Sequence, residues 1–132
     1  MTLTVGDTNR HADRILELLK HGFHDQANET VAQSWSRCLN EYQLHPAKPR
    51  DPSFVARVEL EDRRARRADV IACARYEMTT LYQQLADMES AVVLTDTDGV
   101  IVHMVASPEF AAEAGPLGLR VGGRWSEADA GT

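Results

Sequence analysis

The sequence is poor in the features that mark out whole classes of protein. Only two of its 132 residues are cysteine, Cys38 and Cys73. One pair builds neither the disulfide framework of a small secreted domain nor a structural zinc site. Both thiols therefore read as reduced, and both residues as small buried hydrophobes on helical faces. No apolar run approaches the roughly 20 residues of a membrane span. The first residues lack the basic segment and apolar stretch of a secretory signal, which points to the cytoplasm and away from membranes. Positive charge is also short: 14 Lys and Arg against 20 Asp and Glu give a net charge of −6. A general nucleic-acid-binding surface would be basic, so direct DNA contact is not expected.

Motifs that carry chemistry are missing too. No Gly-x-x-x-x-Gly-Lys-[Ser/Thr] loop is present to cradle phosphate. No Ser-His-Asp, Cys-His or His-Glu-x-x-His arrangement can be assembled from the spacing. His11, His21, His24 and His45 lie too far apart, or on elements too different, for a metal site. The reading is non-enzymatic, with no catalytic residue, no metal and no cofactor. Asp96 and Asp98 could form a carboxylate pair, but Asp on either side of a turn serves first as a turn former. The cluster Arg63, Arg64, Arg66 and Arg67 follows Glu59, Glu61 and Asp62. Its i,i+4 pairs, Glu59 with Arg63 and Asp62 with Arg66, read as a solvated, salt-bridged helix face.

What is present divides into three stretches. In residues 1–50, two helices are expected over 9–21 and 29–44 as an antiparallel pair. The second carries the stripe Val31, Trp35, Cys38, Leu39 and Tyr42, with Trp35 as its largest anchor. Three prolines between His45 and Pro52 form a stiff connector, and Asp51-Pro52 reads as a helix start. Residues 51–90 then read as one long helix, free of glycine and, after Pro52, of proline. Ile71, Ala74, Met78, Leu81, Leu85 and Met88 follow at spacings of 3 and 4, a narrow seam suited to pairing with a second copy. Packing of the same helix on a sheet is equally open. In residues 91–132, Ala91-Val-Val-Leu-Thr-Asp96 and Val100-Ile-Val-His-Met-Val105 flank an Asp-Gly turn, which predicts a β-hairpin. Ser107-Pro108 caps a short helix that Gly115-Pro116 should stop, and the rest reads as glycine-rich loop. The expected fold is mostly helical α+β. A lone two-stranded hairpin is marginal, so its unfinished edge calls for a partner.

Three motifs in order resemble one family. Ser34-Trp-Ser-Arg-Cys38, with Tyr42, Leu44 and Pro46 after it, is similar to a signature near the N-terminus of AcoR-like transcriptional activators. Those are sigma-54-dependent, enhancer-binding regulators of the Fis/NtrC type. Val93-Leu-Thr-Asp-Thr-Asp-Gly-Val-Ile101 resembles the first hairpin of their GAF sensory domain. Gly122-Gly-Arg-Trp-Ser-Glu127 with Gly131-Thr132 resembles a later segment of that domain. His45 departs from the pattern, which has Asp there. The resemblance covers about residues 30–132 and implies an N-terminal helical region, a long signalling helix, and an incomplete GAF/PAS-like sensory domain. The sequence closes within the third motif, so it is expected to be a piece of a longer regulator or a shortened homologue.

The function that the resemblance implies is signal input: a small metabolite, bound in the complete form, controls an AAA+ ATPase that lies outside this sequence. Its wall residues here would be His103, Phe110 and Trp125, and the Ile71–Met88 seam would hold a homodimer. The alternative is a stand-alone interaction module that pairs with full-length regulators.

Overall fold

The computed structural model describes residues 10, 12–17, 20, 29–48, 50–85 and 90–131. They form an α+β protein, mostly helical with one two-stranded antiparallel sheet. The chain divides into two compact units, one of Met1–Arg50 with Glu127–Thr132, the other of Asp51–Ser126.

In the first unit, residues 12–17 are helical, as expected for the first helix, and bury Ala12 and Ile15. The remainder of that expected helix lies largely outside the described residues. Helix α1, Glu29–Asn40, buries Ser34 and Cys38. It ends four residues earlier than its apolar stripe suggests. The amides of Glu41 and Tyr42 both close on the carbonyl of Arg37, and that of Leu44 on Cys38. Gln43 adopts φ 54°, which no helix continues through.

The second unit departs from a single long helix. Helix α2 spans Arg57–Arg66 and α3 spans Ala68–Gln84. The helix does not start at Pro52, because residues 53–55 are extended and paired. The Val55 amide donates to Gly122, the Arg124 amide to Ser53, and Phe54 bridges Gly123. These backbone bonds override the local Asp-Pro cap signal. Arg67, φ −114° and ψ 16°, breaks the run between α2 and α3 with neither glycine nor proline nearby. Helix α2 buries no residue, whereas α3 buries Ile71 and Met78 and packs on both strands. Met88 lies outside the described residues.

Strands β1, Ala91–Thr95, and β2, Ile101–Ala106, form the expected hairpin, with Val92 opposite Val105 and Leu94 opposite His103. Thr97, Asp98 and Gly99 form the turn. The Asp96 amide donates to Val100 and the Gly99 amide to Asp96, with Gly99 at φ 77°. That is a three-residue loop ending in a left-handed glycine. A side chain at Gly99 would also drive its Cβ to 2.7 Å from the Ser126 amide nitrogen. The segment read as loop after Leu117 has no strand among its described residues, but residues 122–125 bond to the chain at the start of β2. Ile101 donates to Gly123, Gly122 to Ile101, and Trp125 to Gly99. Part of the free edge is therefore covered by this chain itself. Gly123 is required there, since a Cβ would stand 2.1 Å from the Gly118 carbonyl oxygen.

Val100, Ile101 and Val102 are each at most 1% exposed. Successive strand residues face opposite ways, so three buried in a row means that both faces are covered at this point. Helix α4, Pro108–Ala114, begins as its sequence predicts, with the Ser107 hydroxyl accepting the Phe110 amide at 3.1 Å. It ends at Ala114, with Gly115 as its C-cap, as the Gly115-Pro116 pair predicts. The chain continues through a 3₁₀ turn, Gly115–Leu117, and turns at Gly118, φ 99°. A short helix α5, Glu127–Ala130, closes the described chain.

Candidate functional site

Two arginine–carboxylate centres stand out, one in each unit. In the sheet unit, Arg63 of α2 reaches the hairpin turn. Its Nη1 donates to Asp96 Oδ2 at 2.6 Å and to Asp98 Oδ2 at 2.8 Å, while Nε donates to Glu59 Oε1 at 2.9 Å. Arg124 also donates to Glu59 Oε1, at 3.3 Å. The Arg63 side chain is 18% exposed and that of Asp96 only 6%. Burial alone would push the Asp96 carboxyl up. The Arg63 bond and the amides of Val100 and Asp98, both at 3.0 Å from Oδ1, outweigh it and hold the acid below its ordinary value. The same bonds, to Asp96, Asp98 and Glu59 in that order, raise Arg63. Asp96 and Asp98 thus act as turn former and ion-pair partner. A cleft of about 260 Å³ opens beside them, lined by Arg63, Arg66, Arg67, Asp96, Thr97 and Asp98. The two i,i+4 pairs expected on α2, Glu59–Arg63 and Asp62–Arg66, are both formed.

The residues singled out for ligand contact lie in separate settings. His103, on β2, keeps its Nε2 buried and without a hydrogen-bond partner. Burial first, then the charges of Arg75 on α3 and Arg64 on α2, lower its pKa, so the neutral ring is favoured. Phe110 is half-buried in the first turn of α4. Trp125 is 42% exposed, and its indole N–H donates to the Gly118 carbonyl at 2.9 Å. None of these three lines the cleft beside Arg63. Along the expected seam, Ile71 and Met78 are buried within this chain, Ala74 and Leu85 are half-buried, and Leu81 is 46% exposed. Cys73 corrects the reading of both thiols as buried: Cys38 is buried, but Cys73 faces outward from α3.

The helical unit holds the second centre. Arg37 of α1 grips Glu127 with two donors, Nη2 to Oε1 at 2.8 Å and Nε to Oε2 at 3.1 Å. The hydroxyl of Ser34, one helical turn earlier, also donates to Glu127 Oε1. The Cys38 thiol approaches the Glu127 carbonyl at 3.9 Å. Gly131, φ 79°, abuts Leu44 and Cys38. Spacing by 3 and 4 places Ser34, Arg37 and Cys38 on one side of the helix. The Arg37 bond first, then that of Ser34, holds the Glu127 carboxyl below its ordinary value. Glu127 and Gly131 of the third motif therefore meet Ser34, Arg37, Cys38 and Leu44 of the first. Nothing in the sequence pattern alone joined Arg37 to a residue 90 positions away.

Two relatives match most of this chain. The acetoin catabolism regulatory protein of Cupriavidus necator is 33% identical over 107 residues, 80% of this chain and 16% of the relative. The acetoin dehydrogenase operon transcriptional activator AcoR of Bacillus subtilis is 26% identical over 116 residues, 86% of this chain and 19% of the relative. The chain thus spans under a fifth of the length of the curated relatives it matches. No family model and no solved structure matches it. Its homologues are transcriptional regulators of acetoin catabolism. Among the described residues, no helix is long and apolar enough to cross a membrane, and no cluster of three His, Cys, Asp or Glu could hold a metal ion.

Proposed function

We propose that this chain is a signal-input region of a cytoplasmic transcriptional activator. The observation that carries the reading is its similarity, over 80% or more of its length, to acetoin regulators from two different bacteria. In this reading it belongs with the sigma-54-dependent activators, the sheet unit is the start of a GAF-like sensory domain, and the effector is a small hydroxyketone or diol of the acetoin kind. His103, Phe110 and Trp125 are the wall residues offered for that effector, and the outward parts of α3 the surface for a homodimer. Exposure of Val70 (54%) and Leu81 (46%) supports the second assignment, because Ile71 and Met78 are already used within the chain.

The test is a transplant. The matching 107 residues of the Cupriavidus regulator are replaced by this chain, and an acetoin-dependent reporter is measured in a strain lacking its own regulator. The expected outcome is reporter activity that rises with acetoin. A chimera that accumulates to normal level yet leaves the reporter unresponsive would overturn the reading. The alternative, a stand-alone partner of full-length regulators, predicts instead that the free chain lowers reporter output when coexpressed with the intact Cupriavidus regulator.

A further inference from the structure

The cleft beside the hairpin turn has two walls that the chain has already tied together. Arg63, Arg66 and Arg67 follow at i, i+3 and i+4, on one side of the chain at the end of α2. With Asp96, Thr97 and Asp98 they line a space of about 260 Å³. Arg63 bridges the walls, its Nη1 on both Asp96 and Asp98. Asp96 in turn holds the amides of Asp98 and Val100, both at 3.0 Å, so the turn that carries Thr97 is also fixed from within. Walls fixed beforehand lose little freedom when a ligand binds. The donors of the cleft are unequally committed. Arg63 serves Asp96, Asp98 and Glu59, and Arg66 is paired with Asp62. Glu61 is taken by Arg57, and Glu59 is shared with Arg124. Among the described residues, Arg67 has no carboxylate partner and the Thr97 hydroxyl no hydrogen bond, yet both line the cleft.

We propose that this cleft binds a small organic carboxylate, held by the Arg67 guanidinium and the Thr97 hydroxyl. The planar fork of a guanidinium matches the two oxygens of a carboxylate, and a hydroxyl adds a further donor to the same group. One guanidinium without an acid of its own calls for one negative charge. The Asp98 carboxylate, 64% exposed and lining the same space, opposes a second, which favours a carboxylate over a phosphate dianion. The site lies within the sheet unit and shares no residue with the effector wall of His103, Phe110 and Trp125, so it goes beyond the function proposed above.

Titration of the full, isotope-labelled chain, followed through its amide chemical shifts, tests the proposal. Acetate is the probe, acetamide its uncharged counterpart, methyl phosphate the competing dianion, and chloride the control for ionic strength. Acetate is expected to shift the amides of Arg67, Thr97 and Asp98 saturably in the millimolar range, with methyl phosphate weaker and acetamide and chloride without saturable effect. Arg67→Gln should weaken acetate by about fivefold and Thr97→Val by about twofold. Arg64→Gln removes a neighbouring charge that does not line the cleft, and should leave the affinity unchanged. The amides of residues 101–106 report whether each variant keeps the sheet, and if Arg67→Gln disturbs them, Thr97→Val carries the test. Absence of a saturable acetate shift overturns the proposal, as does acetamide matching acetate or methyl phosphate binding more tightly. Equal weakening by Arg64→Gln and Arg67→Gln also overturns it, since general surface charge would then account for the binding. The reporter response of the transplanted regulator has no bearing on any of these results.

Discussion

In the sheet unit, Val100, Ile101 and Val102 are at most 1% exposed, and helix α3 adds Ile71 and Met78 beneath the strands. In the helical unit, α1 buries one polar and one weakly polar side chain, Ser34 and Cys38, and the most specific contact is a carboxylate supplied from near the other end of the sequence. The buried apolar residues described in the sheet unit fall between Ile71 and Ala114. Among the described residues of the helical unit, the apolar burial of Ala12, Ile15 and Cys38 is joined by a carboxylate, Glu127, that lies 90 positions beyond its arginine. Apolar burial tolerates small shifts, while a guanidinium–carboxylate fork does not. The sheet unit is therefore expected to respond most to loss of volume, and the α1 contact of the helical unit to loss of the Glu127 charge.

The largest effect is expected from removing volume. Ile101→Ala deletes a fully buried side chain at the centre of the strand and should cost about 3 kcal/mol of unfolding free energy. Urea denaturation followed by far-UV circular dichroism measures it. A cost no greater than that of an exposed-site change would mean that the apolar core does not hold the sheet unit, and the contrast between the units would fail.

A smaller effect is expected at the turn. Asp96→Ala removes the acceptor of the Asp98 and Val100 amides and leaves Arg63 with fewer partners. Losing such a local acceptor costs about 2 kcal/mol. Asp98→Ala, which removes one exposed partner of the same arginine, should lie well below that in the same titration, because its carboxylate is 64% exposed. If the two variants cost the same, the ion pair and not the turn is what Asp96 contributes.

Much of this was legible in the sequence because it is local. The hairpin, the Ser107 cap and the two i,i+4 pairs on α2 follow from residues within four positions of one another. What was not legible is what the chain makes at long range. The Asp51-Pro52 start lost to backbone pairing of residues 53–55 with residues 122–124, and no pattern in either segment signals a strand. The break at Arg67 carries no glycine or proline. It falls between a helix anchored by Arg63 and one anchored by Ile71 and Met78, and a periodicity count cannot see a change of anchor. The roles of Arg63 and Arg37 were hidden for the same reason: their carboxylates lie 33 and 90 positions away. The seam from Ile71 illustrates the converse. Ile71 and Met78 of that spacing are buried within this chain while Leu81 is 46% exposed, and spacing alone does not say which positions the sheet covers.

The smallest effect is expected at a polar group inside the sheet unit. His103 is the candidate. Its Nε2 is buried without a partner, and Arg75 on α3 and Arg64 on α2 both oppose a charge on the ring. Its folded pKa therefore lies below the ordinary value of about 6.5. Below that pH the unfolded chain binds a proton more readily than the folded one, so acidification destabilises the fold. Stability should be flat above about pH 7 and decline as pH falls from about 6.5 toward the lowered folded value. His103→Gln should flatten that decline while leaving the carboxylate-driven loss at lower pH, where Asp96 and Glu127 take up protons, in place. Thermal unfolding of both proteins between pH 5 and pH 8 reads the difference. If the two profiles coincide throughout that window, the buried nitrogen imposes no cost on protonation, and the interior of the sheet unit is purely apolar in its energetics.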